Sequence, residues 1–221
     1  MVIGLLTIAA IPSTIGVCEA LSAQKKQNAA DKEKAKFTAT TALSLTGERP
    51  TESPLVLAGG RLFINHPDAP LPAHTFSGYY FNYPGEEECL GLVSTISNDP
   101  PMLNWIYFDK DTGRMQHAGR KDTIGHLVGP WGWTEGEGED DGKWLTFRKD
   151  ATQFMAVEEE IVLGGAVTSV WGVYLNQGQP EVANGVPILI RRSFGMDSKF
   201  VRDSQREPKR GQQQGGGQGG K

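Results

Sequence analysis

The sequence predicts an all-β protein: an antiparallel sandwich or barrel of about ten short strands, preceded by an apolar N-terminal helix and followed by a disordered tail. Three observations carry this expectation. From Phe37 onward the helical period disappears and β-branched and aromatic residues dominate. Gly, Pro, Asn and Asp break the chain into short runs at roughly 8–12-residue intervals. No convincing helix follows Lys36, and no clear internal repeat is visible.

Residues 1–17, MVIGLLTIAAIPSTIGV, carry no charge. Three readings compete: a membrane anchor or interfacial segment, a signal peptide cut near Ala23, and a helix packed on the body. No Lys or Arg precedes the run, whereas Lys25, Lys26, Lys32, Lys34 and Lys36 follow it. Cations beside an apolar segment tend to stay cytosolic, which favours a cytosol-facing body with membrane contact through residues 1–17. A full span is marginal, because such a helix needs about 20 apolar residues and Pro12 sits mid-run. Residues 1–23 are this apolar segment, and residues 24–36 continue as a charged helix or stalk rich in Ala, Lys and Glu.

The β domain is expected over residues 37–202. FTATTALSL reads as a strand, and LVLAGGRLFIN as a hairpin about Gly59-Gly60. After a Pro-rich link come GYYFNY, LGLVSTIS, LNWIYF, RMQHAG, IGHLVG, WGW, KWLTFR, QFMAVEEE, VWGVYL and PILIRRSF. The last segment, 203–221, is Gly- and Gln-rich and lacks the apolar residues to form a core.

Between LNWIYF and RMQHAG stands Asp111-Thr112-Gly113, the tripeptide of aspartic proteases. That chemistry needs two carboxylates sharing a proton in apolar surroundings. Here Asp109, Lys110 and Arg114 are neighbours and no second such tripeptide exists. A calcium loop starting at Asp109 would place Gly113, Arg114 and Arg120 at its fifth, sixth and twelfth positions, which fails. The segment is expected to be a hairpin turn.

Other chemistry is equally sparse. The histidines His66, His74, His117 and His126 show no metal spacing. His117 and His126 lie on neighbouring expected strands and could face each other, but a third ligand is missing. Of the two cysteines, Cys18 lies in the N-terminal segment and Cys89 follows three glutamates, which would raise its pKa. The acidic stretch 135–142 reads as a solvated loop. No motif for a nucleotide, flavin or hydrolytic nucleophile is present, so neither a cofactor nor a catalytic residue is expected. The net charge of −4 gives no strong nucleic-acid signal.

Aromatic pairs remain. Trp131 and Trp133 stand two apart, as do Tyr79, Phe81 and Tyr83, so each set shares one face of an extended strand. An exposed face would contact a glycan or protein partner; a buried one would be core. Trp131, Trp133, Tyr79 and Tyr83 are therefore the candidate ligand-contacting residues, with core the favoured role.

The stretch GLVSTISNDPPMLNWIYFDKDTG, with MVIGLLTIAAIPSTIG and FMAVEEE, resembles an uncharacterised family of small filamentous-fungal proteins. The resemblance implies a fungal origin and brings no activity or site with it. The function expected from the residues is a non-enzymatic binding or scaffolding domain. The alternatives are an enzyme or small-ligand carrier assembled from distant loops, and a secreted carbohydrate- or protein-binding protein.

Overall fold

The structure, a computed structural model, describes residues 35–45, 47, 49–85, 89–98, 101–135, 142–163 and 165–194. The N-terminal segment to residue 34, most of the acidic loop and the tail after residue 194 lie outside them, and with them the expectations of an apolar helix, a stalk and a disordered end.

The described residues form fourteen strands, more than the ten expected; two of them are two-residue strands, which escape a reading based on alternation. β1 is Phe37–Leu43, β2 Thr51–Ala58, β3 Arg61–Ile64, β4 His74–Thr75 and β5 Ser77–Tyr83. β6 is Cys89–Asn98, β7 Pro101–Phe108, β8 Met115–Ala118 and β9 Trp131–Trp133. β10 is Leu145–Phe147, β11 Phe154–Leu163, β12 Ala166–Leu175, β13 Val186–Pro187 and β14 Ile190–Phe194.

Pairing runs β3-β8-β7-β6-β5-β1-β2 and returns from β2 to β3, so seven strands close a ring. The fold is a barrel and not a sandwich. β12, β11 and β13 extend from β3, β14 joins β1, and β9 with β10 forms a separate hairpin.

Three units of five, four and five strands emerge from this pairing, although no repeat is legible in the residues. They begin at β1, β6 and β10. The first strand of each pairs with the last strand of the unit before it: β6 with β5, β10 with β9, and cyclically β1 with β14. Each unit carries a central hairpin, β2–β3, β7–β8 or β11–β12. The returning strands of those hairpins meet one another, at Arg61–Gln116, Ile64–Trp171 and Arg114–Tyr174.

Turn chemistry follows the sequence at two of the hairpins. Gly59 and Gly60 have φ of 53° and 80°, as a two-residue turn requires. In the second hairpin Asp109 Oδ1 accepts hydrogen bonds from Asp111 N–H, Thr112 N–H and Thr112 Oγ1, while Gly113 N–H bonds Asp109 O. The tripeptide is thus a turn, with Asp109 as its organising carboxylate. IGHLVG differs from expectation: it follows a single 3-10 turn, Arg120–Thr123, and only Leu127 bridges to Phe108. The two glycines and the short apolar run give it nothing to pair along.

The core fills the barrel with alternate residues of each strand, among them Phe37, Leu55, Leu62, Tyr80, Leu92, Ile106, Phe108 and Phe154. Among the described residues no helix is long and apolar enough to cross a membrane.

Candidate binding surface

Which face of each strand turns inward decides where the candidate aromatics go. On β9, Trp131 and Trp133 do share a face, and it is the inner one. Trp131 is 3% exposed, its ring 5.2 Å from Phe108 and 5.0 Å from Phe147. Trp133 packs 5.3 Å from Tyr80 and lies over the guanidinium of Arg192. Both side chains therefore pack in the interior and at its rim.

Arg192 itself is 3% exposed and enclosed by four rings: Phe37 at 4.7 Å, Phe194 at 4.9 Å, Tyr80 at 5.0 Å and Trp133 at 5.1 Å. Its Nη1 donates to Gly142 O at 3.0 Å. Ring quadrupoles and the Gly142 carbonyl contribute to replacing the water lost on burial. Burial pushes the Tyr80 phenol far above its ordinary pKa, the Arg192 charge opposing that shift, and the phenol donates to Gly132 O at 2.7 Å.

β5 turns its other face outward. Tyr80 packs in the core, so Tyr79, Phe81 and Tyr83 point away from it. Register continues this outer row: Tyr79 faces Val93 and Val93 faces Trp105, while Phe81 faces Gly91. Trp105 packs against Gly91, its Cζ3 only 2.5 Å from where a Cβ would stand, so a larger residue there would displace the ring. Phe81 meets Trp105 edge-on at 6.2 Å and is 56% exposed. Tyr83 meets Trp105 at 4.9 Å but is covered; its hydroxyl is within 2.9 Å of Thr123 Oγ1, and Arg120 lies over its ring at 5.9 Å. Leu103, 48% exposed, extends the strip along β7.

Of the four candidate aromatics, the structure thus brings Tyr79 and Tyr83 to one outer surface and puts the tryptophans elsewhere. Phe81 and Trp105 are the prominent members of that surface. Phe81 lies on the face that Tyr79 and Tyr83 share, and Trp105 stands within the strand LNWIYF. The signal for Trp105 was Gly91, a glycine inside a strand pattern, which marks close approach by another group.

Beyond β8 the outer wall turns polar. Glu159 Oε2 lies 3.1 Å from Arg114 Nη2 and 3.6 Å from Arg61 Nη1, and Tyr174 OH donates to Glu159 Oε1 at 2.7 Å. Arg114 Nε donates to the same hydroxyl at 2.8 Å. Burial, the Glu159 acceptor and its charge push the Tyr174 phenol up to about 12, against the opposing pull of Arg114. The charges of this cluster are mutually engaged.

The histidine pair does not form. His117 faces Ile106 on the inner side of β8 and bonds Asn104 at 3.1 Å, and burial lowers its pKa. His126 stacks 5.2 Å from Tyr107 on the outer side, where Lys110 N–H reaches its Nδ1 at 3.3 Å. The sheet separates them. No group of three metal-ligating side chains is assembled among the described residues.

With this geometry in view, a family model described as a fungal β-trefoil domain matches residues 16–188. The chain belongs to that family. The three units with their meeting hairpins are the three lobes that the name describes. No curated protein and no solved structure shows significant similarity to the chain.

Proposed function

We propose that this fungal β-trefoil domain is a non-enzymatic binding module whose contact surface is the outer strip of β5, β6 and β7, and that its partner is a glycan. One observation carries the reading: Phe81 stands 56% exposed beside Trp105, whose ring packs against Gly91. An exposed aromatic ring beside a second one, on strands that carry no charge, suits the apolar face of a sugar ring. Arg120, Gln116 and Thr95 supply polar groups at its border.

Calorimetric titration of the full chain against neutral oligosaccharides tests this. Binding should be lost in Phe81→Ala, an exposed position, and weakened at least about tenfold in Trp105→Ala. If those variants bind as wild type, or no glycan binds while a protein partner is held through Phe81, the glycan reading is wrong.

For location, we propose a cytosol-facing body held by residues 1–17. A C-terminally tagged protein should pellet with membranes and stay protease-accessible in intact vesicles. Recovery from culture medium with a new N-terminus near Gln24 would instead establish secretion.

A further inference from the structure

We infer that the glycan taken by this surface is acidic, with a sugar ring on Phe81 and Trp105 and a carboxylate of the same chain on Arg61. This rests on the glycan reading above and adds the class of sugar. The starting point is a count of charge. Arg61 and Arg114 share the single carboxylate of Glu159, and Tyr174, whose phenol titrates near 12, adds none. Two cations against one anion leave a positive charge over. That surplus falls on Arg61. Arg114 lies 3.1 Å from Glu159 with its side chain 24% exposed, whereas Arg61 lies 3.6 Å away and is 41% exposed.

Glu159 is fixed to the wall and cannot follow Arg61 outward. Its Oε1 accepts from the Tyr174 hydroxyl, and a Cβ on Gly172 would collide with that oxygen, so the carboxylate lies against bare backbone. Only Nη1 of Arg61 approaches it, and the other N–H groups of the guanidinium have no acceptor among the described residues. A planar fork with open donors is matched by a carboxylate, which accepts two parallel N–H bonds. Other acids nearby are engaged or turned away. Glu158 and Glu160 alternate to the opposite face of β11, Asp109 is held by its own turn, and Asp122 shares a 3-10 turn with Arg120 and Lys121.

Register brings this cation within reach of the aromatic strip. Trp105 faces Ala118 on β8, and Gln116, two residues along the same face, faces Arg61 on β3. Two strand spacings therefore separate Trp105 from Arg61, about 10 Å across the sheet. The floor between them is Ala118 and Gln116, both half-buried and uncharged. A single sugar ring is too short for that interval. A short chain spans it, with the acid one or two rings away from the ring that stacks.

The test is calorimetry of the full chain with a xylo-oligosaccharide carrying one glucuronic acid, set against the methyl ester of the same molecule. The acid should bind at least about tenfold more tightly than the ester at low salt. That gap should close near 1 M salt, where the screening length is about 3 Å. Arg61→Gln should bring the acid down to the ester and leave the ester unchanged, while Arg114 continues to hold Glu159. Arg61→Lys should keep part of the gap, since an ammonium retains the charge but not the fork. Phe81→Ala should weaken both ligands. An ester that binds as tightly as the acid, or a gap that survives in Arg61→Gln, would overturn the inference and leave the glycan reading standing. An acidic peptide such as tetraglutamate binding as tightly as the uronate would overturn it too. If neither oligosaccharide binds and neutral glycans also fail, both readings fall together.

Discussion

At the scale of single residues, chemistry that looks catalytic in isolation proves to be turn-building. Asp111 donates its own N–H to Asp109 and its carboxylate is exposed, so Asp111→Asn should change unfolding free energy by less than about 1 kcal/mol. Gly113 has φ of 71°, and a Cβ there would stand 2.7 Å from Leu175 O. Gly113→Val should therefore cost about 2–4 kcal/mol in denaturant unfolding, with a large share from displaced backbone. Tyr174 gives a pH prediction. Its phenol titrates near 12 in the fold against the ordinary 10.0, so the folded state holds its proton more tightly than the unfolded chain. That stability is fully present below pH 10 and is lost as pH rises from 10 to 12. The denaturation midpoint should fall across that window, and Tyr174→Phe should flatten the fall. Asp109 runs the other way. Partial burial would raise its carboxyl, but hydrogen bonds from Thr112 and Asp111 and the nearby His126 hold it below the ordinary 3.8. Its contribution exists above that value and disappears in acid.

Among the elements, the turn from β10 to Asp150 stands apart. Arg148 and Lys149 both have positive φ, 52° and 68°, and Phe147 and Asp150 exchange two backbone hydrogen bonds around them. This is the geometry that favours Asn-Gly. Arg148 packs over the Phe147 ring at 5.4 Å, whereas Lys149 is exposed. Lys149→Gly should therefore stabilise the protein by about 1 kcal/mol, read as a rise in Tm of a few degrees. If Tm falls, the positive φ is not the dominant strain at this turn.

For the molecule as a whole, the first and last described strands are joined beside the closed ring. β1 and β14 pair from Phe37–Phe194 to Thr41–Ile190, and Arg192 sits in the ring of aromatics contributed by β1, β5, β9 and β14. Arg192→Ala should cost about 3 kcal/mol or more, because it empties a packed site, removes four ring contacts and strands Gly142 O. Arg192→Lys should fall between, since an ammonium keeps the charge but lacks the flat group that four rings enclose. Chemical unfolding at neutral pH separates the three proteins. A near-neutral Arg192→Ala would mean that the ends are held by strand pairing alone.

Much of this architecture was legible because it is local. Alternation along FTATTAL or LNWIYF is a property of neighbouring residues, and so are the glycines at 59–60 and the Asp and Gly around 109–113. Those features predicted strands, hairpins and an all-β chain, and they dismissed a protease site. Alternation also put Trp131 with Trp133, and Tyr79 with Phe81, on common faces. It could not say which face is inside, because that is settled by partners far along the chain: Tyr80 against Phe37 and Arg192, Trp131 against Phe108 and Phe154. The three lobes were hidden for the same reason. They are alike in which backbones pair, while their side chains and loop lengths differ. The sequence determined the strands and their two-faced character; only closure of the barrel decided which aromatics became core and which, with Phe81 and Trp105, remained on the outer surface.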